Sequence, residues 1–364
     1  MQWSNRPVVL LGNGARGADM DVILSMGVPV LTSWQAKDMV DNRHANYFGS
    51  PGIYGQRMAN AVLAHADMVL SIGNRLSIWN VGHEGLRNDQ RLVQVEIDEA
   101  EIKDKAQAIR QDARTFVESL RGERVTCVPW LADCAGWRAS YPLVEKAHDD
   151  ANGYINSYRF VEALEPYLRP DEVIVTEMGA ALCSAHQVLR IRPPQRLMTS
   201  GGLGEMGCGL PGAIGASIAR NRGPVLLLAT DGGLMMNLQE LQTVVHHELP
   251  IRIIVFNNSG YGMLRETQRK GGMRYAGVDA DTGVSFPNFR HVAQGFGITA
   301  CEVRDWDDFH RIVPSVMAID EKPILVDYIM DPRQPLVPKL GYSIVDGNQV
   351  YDRFDDLYPK ESHA

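Results

Sequence analysis

Along most of the chain, short unbroken apolar runs alternate with stretches in which apolar positions recur every three or four residues. The first pattern is that of a strand buried on both faces; the second is one face of an amphipathic helix. Strands are predicted at Pro7 to Leu11, Val28 to Thr32, Met68 to Ile72 and Arg91 to Ile97, with helices at Ala18 to Met26 and Gly55 to Ala66. A second series opens with a helix from Ile155 to Leu168, closed by Pro170. It continues with strands at Glu172 to Thr176, Val225 to Ala229, Ile251 to Phe256 and Ile324 to Tyr328. Such alternation predicts an α/β protein made of two doubly wound parallel-sheet domains. Around Arg124 to Tyr141 the pattern breaks into Pro, Trp, Cys and Gly, which reads as an interdomain join. After Asp331 the chain is Pro-rich and irregular, the mark of a tail running over the surface. The predicted layout is a Rossmann-like domain over 1–125, a join over 126–150, a second domain over 151–335 and a tail over 336–364.

Composition narrows the partners. A chain of 364 residues is long enough for two domains with their own cores. Its net charge is −8, with no block of five or more like charges. Nucleic acid or an anionic membrane surface is therefore a poor match as main partner. The five cysteines are scattered and form no CxxC pair, so reduced thiols in a cytoplasmic protein are expected. No run approaches the length of a membrane span, and the N-terminal stretch MQWSNRPVVLLGNG lacks the apolar region of an export signal.

Two glycine-rich turns carry candidate chemistry. The first, GNGARG at 12–17, follows a strand and precedes a helix, the context of a dinucleotide-binding turn. The acid that should close the next strand is missing: that strand ends at Thr32, and Asp38 lies six residues on. A tight turn without ligand and a nucleotide site remain equal readings.

The second turn, DGGLMMNLQEL from Asp231, is more specific. A single carboxylate stands at the end of a buried run, where ligands of open α/β sheets collect. Gly232 and Gly233 let a large anion approach the main chain. Asn237 and Glu240 have the spacing of a capping box, predicting a helix start there whose free N–H groups would suit phosphate. An acid beside phosphate needs a divalent cation between them, and oxygen ligands suit Mg²⁺. The next strand ends in Asn257, Asn258, Ser259 and Gly260, so neighbouring strands would bring an amide oxygen and a main-chain carbonyl to Asp231.

These motifs, TDGG followed by LPIRIIVFNNSGYG, with SGGLGEMGCGLPGAIGAS at 200–217 before them, resemble the thiamine-diphosphate-dependent acetolactate-synthase-like family. The first series, with RPVVLLGNG, GSPGIYG, DMVLSIGNR and LVQVEIDEAEI, is similar to that family's central domain. The resemblance implies thiamine diphosphate (ThDP) and Mg²⁺ as cofactors, FAD as a further ligand of some members, and a 2-oxo acid as substrate. It implies Asp231, the side chain of Asn258 and the carbonyl of Gly260 as metal ligands. Gly232, Gly233 and Gly179 would border the diphosphate. Gly204, Glu205 and Met206 fall in the aminopyrimidine-contacting loop, Met206 as the apolar wedge that bends the cofactor. Tyr261, Gly262 and Met263 follow the metal turn, and Tyr261, Met263 and Arg265 are placed to meet substrate.

Three departures limit the transfer. Ala180 and Ala181 stand where acetolactate synthases carry polar Gln and His, and Thr267 falls where they place a substrate-selecting tryptophan. The pyrimidine-binding domain that supplies the activating glutamate is not represented in these motifs. The resemblance thus implies a partner subunit, or a longer chain, bearing that glutamate, and an oligomer. Glu177 and Glu205 are the nearest acids within the chain, both read as solvated or structural. His246 and His247 read as a helix C-terminal pair.

Overall fold

A computed structural model describes residues 4–346 and 348–360. Residues 1–3, Gly347 and 361–364 lie outside that description, and with them the outer ends of the predicted 1–125 domain and 336–364 tail. The chain divides into two compact units, one of Met1–Glu145, Arg190–Pro193 and Val337–Ala364, the other of Lys146–Leu189 and Pro194–Leu336.

The first unit is built on a parallel sheet of β1 (Pro7–Leu11), β2 (Val30–Thr32), β3 (Met68–Ile72), β4 (Arg91–Val95) and β5 (Gln107–Ile109), ordered β2-β1-β3-β4-β5. The second holds β6 (Val173–Thr176), β7 (Arg196–Met198), β8 (Val225–Thr230), β9 (Ile251–Asn257), β10 (Thr299–Val303) and β11 (Ile324–Ile329), ordered β10-β11-β9-β8-β6-β7 and parallel throughout. Both are the α/β sheets that the apolar runs predict. The direction of winding reverses between β1 and β3 in the first sheet; in the second it reverses between β6 and β8, and again where β11 returns to lie between β9 and β10. The crevice at such a reversal is where open α/β sheets take ligands.

The central strands are apolar because both faces are covered. Val225 to Leu228 and Ile253 to Phe256 are fully buried. One charge interrupts β9: Arg252 is buried and pairs with buried Glu172 at 2.6 Å, while donating to the Met317 carbonyl at 2.9 Å. The two bonds answer the terminal nitrogens of this buried guanidinium, while its Nε finds no partner among the described residues.

Three differences from expectation stand out. Residues 128–140, read as part of a join, form a helix (Val128–Ser140). Trp130, Cys134 and Trp137 lie along one side of it, and Trp130 Nε1 donates to the Pro7 carbonyl at 3.0 Å. Leu131 packs against the same core, and Pro129 and Gly136, poor helix formers, obscure the pattern in the sequence. The segment after Val337, read as a surface tail, folds into an antiparallel hairpin of β12 (Tyr342–Val345) and β13 (Asn348–Tyr351). Beyond it Leu357 is fully buried, Arg57 donates to the carbonyls of Leu357 (2.6 Å) and Pro359 (2.7 Å), and Asn60 donates to that of Phe354 (2.7 Å). The third difference lies at Asn237 and bears on the site.

Candidate active site

At the end of β8 the chain turns at once into the helix Asp231–Met236. Thr230, not Asn237, is its N-cap: the Thr230 hydroxyl accepts from the Gly233 N–H at 3.3 Å and donates to the Met178 carbonyl at 3.0 Å. Asn237 ends this helix and, as expected, stands at the N-cap position of the 3-10 turn Leu238–Glu240 that leads into the next helix, but its side chain makes no capping bond there. Its side chain is drawn off to the Gly207 carbonyl, 2.7 Å away, a tertiary partner that a local capping rule does not see.

The register of β8 with β9 sets Thr230 opposite Phe256, so Asp231 faces the turn that follows Asn257. Asp231 is buried; its carboxylate accepts from the Gly232 N–H at 2.7 Å and the Gly260 N–H at 3.1 Å. Burial outweighs these bonds and pushes its carboxyl up to about 7. Beside it the side-chain oxygen of Asn258 is buried and accepts no hydrogen bond from the protein. The turn itself is shaped by Asn257, whose side chain accepts from the Ser259 N–H at 3.1 Å and donates to Asp327 at 2.9 Å, with Ser259 at φ +54°.

A desolvated acid next to an orphaned amide oxygen is a pair that a hard cation would satisfy, since it supplies the charge one lacks and the partner the other lacks. The residues fit such an ion. Among the described residues no group of three or more His, Cys, Asp and Glu stands ready for a metal, so this donor set has one acid and otherwise neutral oxygens. Mg²⁺ accepts a set of that kind when water and phosphate complete its shell.

The glycines border the same place. A Cβ on Gly232 would lie 2.3 Å from the Tyr261 ring and 3.3 Å from the Met206 methyl, so Gly232, Tyr261 and Met206 are neighbours. A Cβ on Gly233 would lie 2.1 Å from Glu177 Cγ. Gly179 opens the helix Ala180–Val188 at φ +106° and approaches Thr230; Gly204, at φ +70°, approaches Met178. Residues 201–206 are exposed, Met206 by 41% of its surface. Glu205 is exposed too, its carboxyl held low first by a hydrogen bond from Ser200. Gly262 and Met263 begin the helix Gly262–Lys270, an element too polar for its periodicity to show. Glu177, expected to be solvated or structural, is structural: it is buried, its carboxylate accepts from the N–H groups of Met178, Gly207 and Gly209, and the Cys208 thiol lies 3.8 Å from one of its oxygens.

Other candidates lie elsewhere. His246 ends the helix Leu241–His246 and His247 caps it. Arg265 is held by the carbonyls of Pro332 and Val278 and by Asp279 at 3.4 Å. In the first unit a Cβ on Gly12 would lie 2.1 Å from the Gly73 carbonyl oxygen, and one on Gly14 2.9 Å from Gly73 Cα. Asp38 there is buried against Arg16 at 2.7 Å. Close backbone approach thus accounts for Gly12 and Gly14, and Gly17 stands at φ +88°. A cleft of about 460 Å³ in this unit, beside Leu63–His65 and residues 351–355, contains none of the candidate residues.

A doubly wound sheet with an acid, an amide turn and a glycine cradle at a winding reversal is the kind of place at which open α/β sheets take ligands. Comparison with known proteins agrees. Residues 177–328 match the thiamine pyrophosphate enzyme C-terminal TPP binding domain, and residues 1–120 the thiamine pyrophosphate enzyme central domain. The chain is 28% identical to a pyruvate oxidase of Lactiplantibacillus plantarum over 92% of its own length and 56% of the relative's. It is 30% identical to the acetolactate synthase isozyme 1 large subunit of Escherichia coli, over 84% of its own length and 55% of the relative's. Similarity to a Mycobacterium bovis acetolactate synthase is 27%, over 99% and 62%. The chain belongs to the thiamine pyrophosphate enzyme family. It spans between 55% and 62% of the length of these relatives.

Among the described residues no helix is long and apolar enough to cross a membrane.

Proposed function

We propose that this chain holds the diphosphate and metal end of a ThDP site and serves a decarboxylase or carboligase acting on a 2-oxo acid. The observation that carries the reading is the desolvated Asp231 beside the unanswered oxygen of Asn258, at a glycine cradle. In this reading Asp231, Asn258 and the Gly260 carbonyl hold Mg²⁺, and Gly232, Gly233 and Gly179 give the diphosphate its approach. The Gly204 carbonyl and the Met206 N–H bond the aminopyrimidine edge. The Met206 side chain sets the bend, while Glu205, Tyr261, Gly262 and Met263 border the cofactor.

When bound, ThDP supplies a carbon acid whose conjugate base adds to the carbonyl of a 2-oxo acid. The residues of this chain would contribute positioning, with Gly179, Gly232 and Gly233 holding the diphosphate end and Gly204 and Met206 the aminopyrimidine end. The proton that starts activation needs a carboxylate at the aminopyrimidine ring. Glu177 is tied to main-chain N–H groups and Glu205 is in solvent. We assign that role to a glutamate of a pyrimidine-binding domain, on a second polypeptide or a further part of a longer one, within a cytoplasmic oligomer.

Calorimetry of the full chain with ThDP, with and without Mg²⁺, tests the reading. Mg²⁺-dependent binding is expected. Absence of binding, repeated with a pyrimidine-domain partner present, would reject it. Proton exchange at the thiazolium carbon should be slow with this chain alone and fast once the glutamate-bearing domain is added.

A further inference from the structure

Glu177 is a buried acid for which the proposed chemistry has no use, and its hydrogen bonds lead away from the metal turn. One carboxylate oxygen accepts from the N–H of Met178 at 3.0 Å and of Gly207 at 3.1 Å; the other accepts from the N–H of Gly209 at 2.9 Å. Gly207 is gripped from its other side as well, because Asn237 Nδ2 donates to its carbonyl at 2.7 Å. Asn237 ends the same short helix whose first turn contains Gly232 and Gly233. Nothing larger than hydrogen fits between these groups. A Cβ on Gly207 would lie 2.7 Å from Met236 Cβ and 2.9 Å from Asn237 Nδ2, and one on Gly209 would lie 2.9 Å from Glu177 Oε2.

We propose that Glu177 and Asn237 are positioning residues that form a two-point clamp, fixing the loop at Gly204–Met206 at a set separation from the cradle at Gly232–Gly233. The inference rests on the reading above, in which the two segments hold opposite ends of one cofactor. Residues 201–206 are exposed and would otherwise have to be ordered by the ligand. The clamp orders them on folding, which removes that entropy cost from binding. A ligand that spans both segments feels the clamp; one that touches only the cradle does not.

The test compares two probes on the full chain: ThDP with saturating Mg²⁺, and inorganic diphosphate with Mg²⁺. Glu177→Gln turns one acceptor into a donor that faces a main-chain N–H. Asn237→Asp sets an acceptor against the Gly207 carbonyl and, being only half-buried, tolerates change if the first variant fails to fold. The expected result is a loss of ThDP affinity of about 10- to 100-fold for Glu177→Gln and about 5-fold for Asn237→Asp. Diphosphate affinity should be unchanged in both. Equal loss of both probes, or no loss of either, would overturn the clamp. Hydrogen exchange separates this failure from that of the functional reading. Without any cofactor, the amides of Gly207 and Gly209 should be protected in the wild type and released in Glu177→Gln. If they exchange alike, the clamp is wrong even where ThDP binds; if the wild type binds no ThDP, the exchange still decides.

Discussion

Each unit places a glycine-rich turn at a winding reversal of its sheet, yet the two turns are spent differently. In the first, Gly12 and Gly14 close onto Gly73 backbone to backbone, and the nearby acid Asp38 is answered by Arg16. In the second, the glycines face side chains: Tyr261, Met206 and Glu177. The acid Asp231 is left desolvated, answered by main-chain N–H groups alone, and Asn258 keeps an oxygen without a donor. The difference teaches that a glycine motif at a favourable position does not itself mark a ligand. Unanswered charge and an unanswered hydrogen-bonding group do, because folding leaves such groups only where something else completes them.

That contrast can be broken by mutation. The largest effect is expected for Gly12→Ala, whose new methyl meets a main-chain oxygen that cannot swing aside. It should cost the first unit about 3 kcal/mol or more in denaturant unfolding, with ThDP binding unchanged. Next, Asp231→Asn should weaken Mg²⁺-dependent ThDP binding by about 100-fold, read by calorimetry. Gly232→Ala meets a movable Tyr261 ring instead. A loss of about 10-fold in ThDP affinity with under about 1 kcal/mol in stability would hold the two turns apart; the reverse ranking would equate them. The smallest effect sharpens the filled side of the second turn. Burial, then the charges of Glu177 and Glu205, push the Cys208 thiol up to about 11. At pH 8 it is almost wholly protonated, so iodoacetamide should label it about 10-fold more slowly than an exposed cysteine. The rate should climb steadily with pH up to that value, as peptide mapping would show.

Much of this was legible because central strands have no polar face. β1, β3, β8, β9 and β11 read as apolar runs, and their bounds moved by a residue at most. The edge strands β5, β7 and β10 did not show: QAI, RLM and TACEV are short and partly exposed, so they lack the run that burial on both faces imposes. At the site, Asp231, the glycines and the Asn-Asn turn are visible because their chemistry is in their side chains or in the absence of one. The bonds of Glu177 are not, since main-chain N–H donors require no particular partner residue at any spacing. Asn237 makes no cap for a related reason: its amide nitrogen donates to the distant Gly207 carbonyl, and its oxygen accepts from the Gln239 side chain rather than from a main-chain N–H of the next turn.

The clasp by which Arg57 and Asn60 hold the carbonyls of Phe354, Leu357 and Pro359 has a consequence in time. The first unit is assembled from segments that precede, interrupt and follow the second unit's stretch of sequence. A ribosome finishes the second unit's strands before it makes the residues that close the first. The nascent first unit therefore waits, its β1–β5 sheet made but its side at Arg57 and Asn60 open, while a later-made unit completes itself ahead of it.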